Sequence, residues 1–130
     1  MATVTFRDET ATGKPLHSFD VLDVPDRISV RDLVRLRVRD EVARHNAAPA
    51  QHYAGLIRPE DAEPDGAGYR LRVTRRLDWE AQADVACRAF ERNGFFVLVA
   101  DRQVESLEEV VNLTTASDVA FVKLVPLVGG

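Results

Sequence analysis

Few side chains in this 130-residue chain are spaced for chemistry. His17, His45 and His52 stand far apart, and the single cysteine, Cys87, adds no tight spacing, so a zinc site is not expected. Cys87 falls between Ala86 and Arg88 in a helical pattern, the setting of a small packed thiol rather than a nucleophile. Neither a glycine-rich phosphate loop nor a nucleophile elbow is present. Arg70, Arg72, Arg75 and Arg76 form a basic run that reads first as a solvated strand face and second as a contact for an acidic partner. No residue is therefore assigned a catalytic role, and no bound cofactor or metal is expected. The stretch LVPLVGG, residues 124–130, stands apart. A carboxylate acylates nothing until it is activated, typically as an acyl-adenylate made from ATP. Glycine lacks Cβ, so Gly129 and Gly130 put the least bulk and the widest backbone freedom beside a reacting carbonyl carbon. Pro126 limits the sway of such a tail and lowers the entropy lost on docking. Lys14 and Lys123, the two lysines, are the side-chain amines that could accept such an acyl group. Lys14 is the better acceptor, because a lysine in a turn keeps its side chain in water.

Composition bounds the rest. Apolar residues make up 45% and charged residues 29%, the balance of a globular protein of one domain spanning 1–130. The net charge of −4 disfavours wholesale nucleic-acid binding. A lone cysteine gives no internal disulfide and no support for an oxidising compartment. No stretch has the length of a membrane span, and the opening MATVTFRDE carries acidic residues where a secretion signal has its apolar run. The expectation is a cytoplasmic protein without membrane contact. Abundant arginine with little lysine or isoleucine fits a GC-rich bacterial genome.

The elements that would position the tail follow from periodicity. In TVTFR, residues 3–7, Val4 and Phe6 share one face, as in a half-buried strand. TATGKP, residues 10–15, has turn chemistry. The return strand 16–24 shifts its apolar phase from Phe19 and Val21 to Leu22 and Val24, which predicts a bulge. Ser29 and Asp32 open a helix whose Val30, Val34, Val38 and Val42 recur at i+4 with Leu33 beside them. Arg31, Arg35 and Arg39 line a solvated face, and Asp40 is spaced to pair with Arg44. Residues 46–67, with three prolines, read as a long loop. A short strand with Tyr69, Leu71 and Val73 on one face follows. A helix capped by Asp78 comes next, with Trp79, Ala83, Ala86 and Phe90 as its buried face and Gly94 as its stop. FFVLVA, residues 95–100, predicts a strand covered on both faces. Val104, Leu107, Val110 and Leu113 are apolar at mixed spacing. VAFVKLV, residues 119–125, is the last strand, and Pro126 should end its pairing.

This order, hairpin, helix, inserted segment, strand and returning strand, is that of an α+β β-grasp with a mixed sheet. Local motifs resemble ubiquitin: Thr12-Gly13-Lys14 in the turn, Val24-Pro25-Asp26 with Ile28 at the helix entry, Ala100 with Gln103, Val104 and Glu105, and the final Gly129-Gly130. The end, Asp118-Val119-Ala120-Phe121 followed by Pro126 and Gly129-Gly130, also resembles the small sulfur-carrying subunit of molybdopterin synthase. The resemblance covers about 3–46 and 95–130 and leaves a loop–strand–helix insertion at about 47–94. It implies a bacterial ubiquitin-like protein modifier rather than an enzyme. Gly130 would be adenylated by a ubiquitin-activating-type partner that uses ATP and grips the tail at Pro126, Leu127 and Val128. A conjugating enzyme and a deconjugating peptidase are the further partners implied. The alternatives are a sulfur carrier with a terminal thiocarboxylate, for molybdopterin, thiamine or related synthesis, and a non-covalent β-grasp binding module.

Overall fold

The computed structural model describes residues 1–66 and 68–124. In chain order its elements are β1 (Ala2–Thr10), β2 (Pro15–Val24), β3 (Arg27–Ser29), α1 (Val30–Ala47), β4 (His52–Tyr53), β5 (Ala62–Asp65), β6 (Gly68–Leu71), α2 (Trp79–Glu91), β7 (Phe95–Val99), β8 (Arg102–Val104), β9 (Val110–Asn112) and β10 (Asp118–Lys123). Two compact units result, one made of Met1–Val30 and Phe90–Gly130, the other of Arg31–Ala89. The fold is α+β, with a mixed five-stranded sheet and two helices. Among the described residues no helix is long and apolar enough to cross a membrane.

The first unit is built on the sheet β2-β1-β10-β7-β8. β10 lies in its middle, parallel to β1 and antiparallel to β7. Alternation along each strand turns Val4, Phe6, Val97, Val99, Val119 and Phe121 to one face, where none is more than 4% exposed. Phe6 meets Phe121 edge-on at 5.4 Å and Phe19 at 5.7 Å. Each such side chain contributes about 1.5–3 kcal/mol by leaving water. The opposite face of β7 is half-buried at Phe96 and Leu98, so only one of its faces is fully covered.

The β1–β2 turn closes as its chemistry predicts. Thr10 N–H donates to the Lys14 carbonyl at 2.9 Å, and Gly13 takes φ +86°. The predicted bulge is present: Ala2 faces Val24 but Val4 faces Val21, and Asp23 adopts φ 60°. Its consequence differs from expectation. Leu22 is 69% exposed, because the extra residue turns it outward and restores the inward phase only at Val24. Val110 is likewise exposed rather than packed. β9 pairs Val111 with Ile28, and the alternation sends Val110 to solvent. The run Ala100–Glu105 forms a two-residue hairpin turn and β8, with Ala100 at φ 49° and Asp101 at φ 66°. Positive φ at both centres is the twist that a tight hairpin needs.

In the second unit, residues read as loop contain two short strands. β4 and β5 flank β6 in an antiparallel sheet, and Pro64 is accommodated because β5 is an edge. The prolines hide this sheet from a periodicity reading, since each strand is four residues or shorter. Tyr69 and Leu71 belong to β6, but Val73 lies beyond it and is 66% exposed. Helix α2 starts on Asp78, whose Oδ1 accepts Glu80 N–H at 3.1 Å. Ala83, Ala86 and Phe90 are buried, whereas Trp79 is only half-buried. The helix ends at Glu91, and the left-handed residue just beyond it is Asn93, not Gly94: Asn93 takes φ 60° and its N–H returns to the Phe90 carbonyl at 3.0 Å. Asparagine is the common substitute for glycine at this left-handed position.

Candidate functional site

The reactive tail expected from the sequence, Pro126, Leu127, Val128, Gly129 and Gly130, lies outside the described residues. The place where it begins is described. β10 runs parallel to β1 in the register Thr5↔Asp118 to Thr10↔Lys123 and ends beside Phe95. The chain therefore reaches Leu124 at the end of the sheet that carries the β1–β2 turn. Lys14, exposed in that turn, shares this end of the sheet with the start of the tail segment. Lys123 is different. Its position in β10 faces the core side, and it is 6% exposed.

That buried face is polar at this end. Asp8, 1% exposed, pairs in register with Phe121 and with His17. His17 Nε2 lies 3.5 Å from Asp8 Oδ2, and its ring stacks on Phe19 at 6.0 Å. Asp8, His17 and Lys123 thus occupy the core side where β10 ends. On the other side, Phe96 stands opposite Val122, and Leu98 stands opposite Ala120. Arg7, on this same side, pairs with Glu9 at 3.1 Å and with Asp118 at 2.9 Å. A half-buried apolar strip edged by charge results, on strands held by hydrogen bonds on both sides.

The second unit carries a cluster that no local spacing announces. Leu33, Arg37, Glu41 and His45 recur at i+4 on α1, one row away from Val30, Val34, Val38 and Val42. All four are buried, and Arg37 is fully so. Arg37 Nε and Nη2 each lie 3.1 Å from Glu41 Oε2. Glu41 also accepts Leu56 N–H at 3.1 Å, and His45 Nε2 lies 2.8 Å from the Arg75 carbonyl oxygen. This polar row holds the excursion between β4 and α2 against the helix. Burial, reinforced by the Glu41 carboxylate, pushes the Tyr53 hydroxyl well above its ordinary range.

Among the arginines read as solvated, the structure brings together Arg35, Arg39 and Arg76 around Trp79. The guanidinium carbons of Arg35 and Arg39 lie 5.3 and 5.8 Å from the indole centroid. Arg39, Arg76 and Trp79 line an open groove of about 600 Å³ with Val42 and Asn46. Arg35 pairs with Asp84 at 3.3 Å, and the predicted Asp40–Arg44 pair forms at 2.8 Å. Arg31 is exposed. Arg70 and Arg72 line a smaller groove with Glu63, and Arg75 donates to the Glu60 carbonyl at 2.8 Å. His52 lies 3.4 Å from Asp65. Among the described residues no group of three or more metal-ligating side chains occurs. Cys87 is buried within α2.

No family model, curated protein or solved structure matches the chain.

Proposed function

We propose that the chain is a ubiquitin-like modifier of the β-grasp class, acting as a substrate and not as an enzyme. The observation that carries this reading is the sheet. The order β2-β1-β10-β7-β8, with first and last strands parallel in the centre, is the arrangement a β-grasp requires. It brings Leu124 to the end of the sheet that carries the β1–β2 turn. In the proposed reaction the Gly130 carboxylate attacks the α-phosphorus of ATP on a ubiquitin-activating-type partner. An acyl-adenylate forms and pyrophosphate leaves. An acceptor amine then attacks the carbonyl carbon, the amine proton passes to a base of the conjugating machinery, and AMP departs as the amide forms. The strip of Phe96, Leu98 and Val122 is the surface on which the activating enzyme would dock. Lys14, the exposed lysine, is the acceptor if the protein conjugates to itself. The setting proposed for this chemistry is the bacterial cytoplasm, with a deconjugating peptidase to reverse it.

The reading requires Gly130 to carry the free carboxylate in the mature protein, which intact-mass measurement on material from the native host checks. ATP–pyrophosphate exchange with the host's adenylating enzyme is then compared between the full chain and a variant lacking Gly129 and Gly130. Exchange should vanish in the variant while thermal unfolding stays the same, since every described element lies before residue 125. Equal exchange by the two proteins would overturn the reading. A terminal thiocarboxylate without conjugates would move the chain to the sulfur-carrier class.

A further inference from the structure

We infer that the groove beside Trp79 is a docking site for an acidic, partly apolar segment of another protein. This inference is independent of the tail. Three observations carry it. First, the groove is cationic and its charges are available: Arg39 and Arg76 line it, and neither has an ion-pair partner among the described residues. Secondly, its wall is a half-buried indole with two guanidinium groups within 6 Å of the ring centroid. A half-buried tryptophan beside Arg39 and Arg76 has the composition of an interface anchor, since these residue types dominate binding energies. Thirdly, the groove is pre-formed. Asn46 clamps Leu77 in both directions, with Nδ2 donating to the Leu77 carbonyl at 2.9 Å and Oδ1 accepting its N–H at 2.8 Å. His45 holds the carbonyl of Arg75 at 2.8 Å. The backbone of Arg76 is therefore fixed on both sides, and little order is lost on docking.

The chemistry of the occupant follows. Carboxylates match the guanidinium forks of Arg39 and Arg76, which offer paired donors. Aliphatic or aromatic side chains match Trp79 and the exposed methyl groups of Ala43 and Ala47, which also line the groove. A net charge of −4 on the whole chain opposes a nucleic-acid partner, whose phosphates would meet repulsion beyond the groove. An acidic protein segment needs only this local patch.

Trp79 is the sole tryptophan, so its emission reports on this site alone. A ten-residue peptide alternating glutamate and leucine is titrated into the full-length protein, with the lysine–leucine counterpart, inorganic phosphate and a single-stranded oligonucleotide as comparisons. The acidic peptide should give a saturable change that weakens with salt. Arg39→Gln with Arg76→Gln should weaken its binding by about tenfold, the size of two exposed charge pairs. Both side chains are exposed, so circular dichroism of the variant should match the parent. Absence of a peptide response, or equal binding by the double variant, would overturn the proposal. An equal response to phosphate or to the oligonucleotide would replace it with a general anion site. Concentration-dependent dimerisation abolished by Arg76→Glu would assign the groove to a second copy of the chain.

Discussion

Gly55→Ala is the substitution with the sharpest structural consequence. Gly55 does not need a left-handed backbone; it is needed for space. A Cβ placed there would fall 2.6 Å from the Tyr53 hydroxyl and closer still to two carbons of its ring. Tyr53 is 2% exposed and meets His45 edge-on at 5.3 Å, so the ring has no room to retreat. Either Tyr53 leaves its pocket or the loop lifts and Leu56 N–H loses the Glu41 carboxylate. Expelling a large aromatic side chain costs about 3–5 kcal/mol. For a protein of this size that lowers the unfolding temperature by about 10–20 °C. Urea unfolding followed by circular dichroism measures the loss. The decisive comparison is the double variant Tyr53→Ala with Gly55→Ala. If the clash is the cause, the double variant should be no less stable than Tyr53→Ala alone, a non-additivity of several kcal/mol. A loss below about 1 kcal/mol for Gly55→Ala, or strict additivity in the cycle, would refute the reasoning.

Arg37→Met should destabilise by about 3–5 kcal/mol in the same assay, because it leaves the buried Glu41 carboxylate without its guanidinium partner. Tyr53 should make the protein alkali-sensitive. Its folded pKa is raised above the unfolded 10.0, chiefly by burial, so its contribution is intact below pH 10 and is lost as pH rises beyond it. Tyr53→Phe should flatten that alkaline loss.

β1, β7 and β10, within the described residues, and both helices were legible in the sequence because period-two and i+4 apolar patterns are local. So were the β1–β2 turn and the bulge, whose signals are a glycine near a proline and a slipped phase. The proposed reactive tail is wholly a sequence inference, since its residues lie outside the described structure. What the local signal could not say is which distant group meets a given face. The central place of β10 beside β1 rests on pairing between residues more than a hundred positions apart. Leu33, Arg37, Glu41 and His45 form a row as regular as the valines, yet three of the four are polar, and nothing in their spacing signals burial. Glu41 and His45 are buried because Leu56 N–H, from a segment that reads as loop, and the Arg75 carbonyl satisfy them there. The groove at Trp79 has the same origin. Arg39 and Arg76 are ordinary charged residues in their own segments, and only the fold of the excursion onto α1 places both beside one indole. Periodicity specifies a face; burial of a polar group on that face depends on a partner that only tertiary structure brings.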